Sequence, residues 1–170
     1  MSKTGFYWHE RCFWHDQGAI GVFSAPGEFL QPQAASESPE SKRRLKNILE
    51  VSGLIDELHV VKPPAATLSD LLRFHTSRYL DELQAGDKAR GGNGGDCAPY
   101  MPGSWAAATH SAGLAIAAVE AVARGEVSNA YALCRPPGHH AEADQGRGFC
   151  LLGNIPVAVM RARALGQAKR

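Results

Sequence analysis

What this sequence lacks narrows it first. Neither sign of charge dominates: 18 Lys and Arg stand against 17 Asp and Glu, a net charge of +1. So even a balance supplies no general field to draw nucleic acid or an anionic membrane, and neither is expected as a partner. Long apolar runs are missing as well. The longest, from Leu114 to Ala123, is broken by Glu120 and falls short of the ~20 residues of a bilayer span. Met1 to Trp8 carries neither the apolar core nor the cleavage pattern of a secretory signal. The four cysteines, at 12, 97, 134 and 150, form no Cys-x-x-Cys pair and no compact framework. Reduced thiols in a cytoplasmic protein are the expectation. Gly91-Gly92-Asn93-Gly94-Gly95 is not followed by the Lys-Ser/Thr of a phosphate loop, and no internal repeat recurs.

What is present suits one layered domain. The length of 170 residues, 44% hydrophobic and 21% charged, allows a single core and makes two unpromising. Gly5 to Trp8 is β-prone and reads as an opening strand, followed from Cys12 to Pro39 by a long aperiodic loop. Ser38-Pro39-Glu40 reads as N-cap, N1 proline and first-turn acid of a helix to about Ser52, with Leu45, Ile48, Leu49 and Val51 on one face. Leu58 to Val61 is a short strand, Thr67-x-x-Asp70 a capping box for Leu68 to Phe74, and Thr76 the start of a helix through Leu83. Glycine-rich residues 86–103 read as loop. Ser104 to Arg124 is the strongest helix and is apolar on more than one face, so other elements should cover it. Ala130 to Cys134 shows no alternation, as expected of a parallel strand buried on both faces, and Asn154 to Leu165 is a final helix. Arg43-Arg44 and the pair Arg161 and Arg163 read as solvated helix faces. Alternating strands and helices predict a layered α/β domain.

The chemistry concentrates in Arg135-Pro136-Pro137-Gly138-His139-His140-Ala141 and the Gly148-Phe149-Cys150 that follows. The histidine pair sits directly after the strand at 130–134, where open α/β sheets place their sites. Imidazoles move protons near neutral pH. The two prolines stiffen the loop, and Gly138 permits close backbone approach. Adjacent residues point apart, so the pair is suited to flanking a substrate rather than chelating one ion. A polar loop whose histidines bond only neighbouring carbonyls is the plainer alternative. His9-x-x-Cys12-x-x-His15 could converge on a soft metal if helical, but aromatic neighbours disfavour a helix there. Asp96 could hold a substrate or cap a turn. Cys150 reads as a small buried hydrophobe, and His59, His75 and His110 as surface or core-edge residues.

The run from Arg135 to Cys150, with Asp144 inside it, resembles the signature of zinc-dependent histone deacetylases and acetylpolyamine amidohydrolases. It is most similar to the class II type and its bacterial deacetylase-like amidohydrolases. The resemblance extends along nearly the whole chain. Ser38-Pro39-Glu40 to Arg44 matches an early His-Pro-Glu/Asp…Arg segment, with Ser38 in place of the usual His. Phe74-His75-Thr76-Ser77-x-Tyr79 matches a His-Ser/Thr-x-x-Tyr helix, Gly95-Asp96 a substrate-gripping aspartate, and Leu152-Gly153-Asn154 a site where Asn-Asn or Asn-Asp is usual.

The resemblance implies a three-layer α/β, arginase-like fold with a parallel central sheet flanked by helices. It makes His140 the general base and then acid, and His139 its electrostatic partner. Gly148 and Phe149 would line an acyl-side-chain tunnel, and Asp96 would hold the substrate at the rim. It implies zinc as cofactor, an acetylated lysine peptide or acetylpolyamine as substrate, and possible self-association. In the family the metal ligands lie C-terminal to this region, so no metal ligand is expected within these residues. They are therefore expected to be the N-terminal portion, 1–170, of one deacetylase domain, an incomplete domain inactive alone. A positioned base contributes about 10²–10⁴-fold and enzymes reach ~10⁶ or more, and bound zinc brings water from a pKa of about 15.7 to about 7. Two alternatives stay open: a non-catalytic acyl-lysine-binding module or pseudoenzyme, and an unrelated α/β protein.

Overall fold

The structure, a computed structural model, describes residues 3–18, 31 and 34–168. Much of the expected loop between 12 and 39 lies outside the described residues. The elements in order are β1 (Thr4–Tyr7), α1 (Pro39–Val51), β2 (His59–Val61), α2 (Leu68–Leu71) and α3 (Ser77–Lys88). Next come β3 (Gly92–Asn93), β4 (Gly95–Asp96), β5 (Pro99–Tyr100), α4 (Ser104–Ala123), β6 (Asn129–Ala132), β7 (Gly146–Arg147) and α5 (Asn154–Ala164). Single 3-10 turns occupy Glu10–Trp14 and Leu54–Glu57.

β1 is the centre of a parallel three-stranded sheet ordered β2-β1-β6, with Phe6 level with Val60 on one side and Tyr131 on the other. Successive side chains of a strand face opposite ways, and the core divides accordingly. Phe6 and Trp8 pack with Phe13 and Leu133 beneath Leu45 and Leu49 of α1. Tyr7 packs with Leu114, Ala118 and Ala121 of α4. Helix, sheet and helix therefore form three layers, the predicted fold class. A further cluster joins α3, α4 and α5 through Leu80, Leu83, Ala112, Ile116, Val157 and Ala158.

Local signals account for the helix starts. Ser38 Oγ accepts from the Glu40 N–H ahead of Pro39, and Thr67 and Asp70 form the reciprocal capping box. α4 has 20 residues, long and apolar enough by composition to cross a membrane, yet 12 of them are buried in the fold. Its small residues allow close approach. A methyl at Gly113 would sit 2.2 Å from the Pro64 carbonyl oxygen.

Four expectations need correction. The strand at 130–134 was expected to be buried on both faces, but β6 is half-exposed and Tyr131 is 52% exposed. The reason is position: among the described residues β6 is an edge strand of the sheet, and β1 takes the buried central place. α3 runs to Lys88 rather than Leu83, and the glycine-rich stretch contains the two-residue strands β3, β4 and β5. Arg161 is no solvated residue, since it bonds Glu120 of α4 and Asp70 of α2, both at 2.5 Å. It ties three helices together.

Burial also sets a pH dependence. His15 is 3% exposed with Nδ1 2.9 Å from Ser104 Oγ. Burial, with the Arg135 charge adding to it, lowers its pKa to about 3. His75 is lowered too, by burial against opposing hydrogen bonds. The folded form thus keeps both rings neutral, while the unfolded chain takes up protons below about pH 6.5. Their stabilisation is complete above that pH and declines as pH falls towards the folded values. Urea unfolding of the 170-residue chain between pH 7 and 4 should show stability falling with acid, by up to about 1.4 kcal/mol per pH unit per proton. His15→Gln should flatten the slope. An unchanged slope in that variant would contradict the assignment.

Candidate active site

The loop that follows β6 is anchored before it reaches the histidines. Arg135 is 2% exposed, and its guanidinium donates to the carbonyl oxygens of His15 (2.7 Å), Glu37 (3.1 Å), Phe13 (3.3 Å) and Cys12 (3.4 Å). Its Nε lies 3.0 Å from Glu37 Oε2. The Arg135–Pro136 peptide is cis. The Pro136 carbonyl accepts from Ser111 Oγ at 2.7 Å and from Asn154 Nδ2 at 3.3 Å. Gly138 passes so close to the start of α5 that a Cβ there would lie 2.5 Å from the Asn154 nitrogen. Only glycine fits.

His139 and His140 follow on the surface with ring centroids 4.2 Å apart and planes at 64°. The His140 N–H points at Cys150 Sγ, 3.4 Å away. Burial pushes the Cys150 thiol up, with the N–H groups of His140, His139 and Ala141 opposing. A buried, protonated thiol beneath the loop is a support and not a nucleophile.

Residues 147–150 make a tight turn closed by two backbone bonds, Cys150 N–H to Arg147 O (2.9 Å) and Arg147 N–H to Cys150 O (3.0 Å). Its central residues, Gly148 (φ +50°) and Phe149 (φ +68°), are both left-handed, as a type I′ turn demands. For a phenylalanine that conformation is strained, at a cost of about 1–3 kcal/mol. The same turn is zippered to the strand bearing Asp96: Gly146 N–H donates to Gly94 O, Gly148 N–H to Asp96 O and Phe149 N–H to Cys97 O. A Cβ on Gly148 would lie 2.9 Å from His140 Cδ2. All five predicted site residues, Asp96, His139, His140, Gly148 and Phe149, therefore belong to one surface patch.

Sequence reasoning missed the clamps beneath it. His75, expected at the surface or core edge, is 3% exposed. Its Nε2 accepts from the Gly153 N–H at 2.9 Å and its Nδ1 lies 3.2 Å from the Ala143 carbonyl. Tyr79 Oη donates to the Leu151 carbonyl at 2.7 Å. The His75…Tyr79 segment thus holds both flanks of the 147–150 turn. Ser111, a polar residue in the apolar run of α4, was the visible signal for the Pro136 contact.

The other histidines do not build a site. His9 stacks on His110 at 4.1 Å, Cys12 is fully buried with its thiol pushed up to about 12 by burial, and His15 is bound to Ser104. Among the described residues, no group of three or more metal-ligating side chains converges.

A cavity of about 700 Å³ opens beside the patch, lined by His139, Gly138, Asn154 and Ile155, by the exposed side of β6, and by Ala115, Val119 and Val122 of α4. A family model, the histone deacetylase domain, matches residues 36–170. This chain belongs to the histone deacetylase family. It is 48% identical over 165 residues to the histone deacetylase-like amidohydrolase of Pseudomonas aeruginosa, covering 95% of this chain and 43% of that protein. It is 34% identical to histone deacetylase 8 of Arabidopsis thaliana, over 99% of this chain and 46% of that one. The crystal structure of the HDA15 HD domain superposes with a TM-score of 0.85 at 27% identity, over 98% of this chain and 45% of that one. The chain spans about half the length of these relatives.

Gly148 offers the sharpest test of the geometry. Gly148→Ala places a methyl against His140 and forces a left-handed alanine, costing about 1–2 kcal/mol. Thermal unfolding should show that loss, and the His140 imidazole resonances should shift. Unmoved His140 resonances would refute the packing.

Proposed function

We propose that residues 1–170 are the histidine-bearing portion of a deacetylase domain that hydrolyses the acetyl amide of lysine or of a polyamine. The observation that carries this reading is the exposed His139–His140 pair beyond the C-terminal end of β6, grouped with Asp96, Gly148 and Phe149. His140 takes the proton of the attacking water and later returns it to the leaving amine. His139, its ring 4.2 Å away, steadies the charge that develops. Gly148 and Phe149 wall the channel for the acylated side chain, and Asp96 accepts a substrate N–H at the rim. Zinc, which family members generally use, would lower the pKa of that water. Its ligands come from beyond these residues.

The same reading explains the open face. Among the described residues β6 has one edge unpaired, and Val122, Tyr131, Ile155, Val159 and Met160 are exposed apolar residues on β6, α4 and α5. An open edge beside apolar surface is suited to another strand and its covering helices. We assign that place to a complementing C-terminal segment, of the kind that occupies the remaining half of the longer relatives.

The reading is tested by joining residues 1–170 to the C-terminal remainder of the Pseudomonas relative and loading zinc. The chimera should deacetylate an acetyl-lysine peptide, and His140→Ala should lower kcat by at least about 10²-fold. Residues 1–170 alone should show no turnover. A folded, zinc-loaded chimera without activity, or one indifferent to His140, would refute the reading.

A further inference from the structure

One lip of the site carries an arginine, Arg147, that these roles leave unused. β4 and β7 are parallel and in register, with Asp96 directly opposite Arg147. The register is pinned by close backbone approach, since a Cβ on Gly95 would sit 2.2 Å from the Gly146 carbonyl oxygen. Residues opposite each other in a ladder project to the same side, and Arg147 Nε lies 3.4 Å from Asp96 Oδ2. Arg147 Nη1 is 3.2 Å from Glu142 Oε1, and Gln145 Nε2 donates to Glu142 Oε2 at 2.9 Å. The guanidinium is thereby oriented from two sides, by Asp96 and by Glu142. The pair stands next to Gly148, so near His140 that a Cβ on it would lie 2.9 Å from His140 Cδ2.

From this arrangement, and resting on the function proposed above, we propose that Arg147 is a specificity-determining residue. With Asp96 it makes an acceptor–donor pair that fits a peptide group, the carboxylate taking an N–H and the guanidinium giving a hydrogen bond to a C=O. An acetylated lysine within a polypeptide presents both groups beside its side chain. An acetylpolyamine presents methylenes and ammonium groups, which give the arginine nothing to bind. Arg147 therefore directs the site to acetyl-lysine in a polypeptide over acetylpolyamines. Its planar, forked donor set suits that task better than a lysine would.

The test compares kcat/KM for an end-blocked acetyl-lysine peptide and for N-acetylputrescine in the zinc-loaded chimera. The peptide should be preferred. Arg147→Ala should lower the peptide-to-polyamine ratio about fivefold, the scale of one solvent-exposed charged contact, through the KM for peptide. Arg147→Lys should restore part of it. An unchanged ratio in Arg147→Ala, or a preference for N-acetylputrescine in the parent, overturns the inference while leaving the deacetylase reading intact. Hydrolysis of neither substrate overturns both. A second readout needs no metal. On the 170-residue chain, a millimolar end-blocked acetyl-lysine amide should shift the Arg147 Nε–H and Gly148 N–H resonances, and N-acetylputrescine should not. Equal shifts from the two ligands would also refute it.

Discussion

The buried guanidinium of Arg135 is the constraint on which the rest of the structure depends. A charge removed from water costs several kcal/mol unless partners replace the solvent. Arg135 finds Glu37 and four backbone carbonyls, drawn from the 3-10 turn near the N-terminus and from the approach to α1. Satisfying one side chain thus fastens two distant segments to the end of β6. The loop leaving Arg135 starts from a rigid base. Ser111 and Asn154 then hold the Pro136 carbonyl, and Gly138 threads against α5. By the time the chain reaches His139, its course is set by contacts to four elements.

A second tier fixes what surrounds the histidines. His75 and Tyr79 grip Ala143, Leu151 and Gly153 from below, so the 147–150 turn is held at both ends. Inside that frame Phe149 keeps a left-handed backbone that an isolated hairpin would not choose. Strain is thus concentrated beside a solvent-facing pair of imidazoles, over a rigid scaffold.

How much of this was legible in the sequence follows from the range of each interaction. Caps, turn glycines and the α4 pattern are local, and the helix starts at Ser38, Thr67 and Thr76 were readable from a few residues. That His139, His140, Gly148 and Phe149 lie near one another was readable because they share one short stretch of sequence, whereas Asp96 joins them only through the pairing of β4 with β7. The edge position of β6 was not, because an apolar run looks the same in a central strand and in an edge strand awaiting a neighbour. His75 and Arg161 were misplaced for a related reason. Their partners lie 68 or more residues away for the Ala143 and Asp70 contacts, beyond any spacing rule. Arg147 opposite Asp96 is a matter of strand register, which two-residue strands hide.

The central claim is that the two imidazoles face a reacting acyl group once the open side of β6 is covered. A crystal structure of the complemented domain with an acetyl-lysine peptide bound tests it most directly. The account predicts a strand paired parallel to β6 and a His140 ring nitrogen within about 2.6–3.2 Å of the water or amide atom whose proton it handles. Both rings turned away from the acetyl group, with β6 still open to solvent, would contradict it.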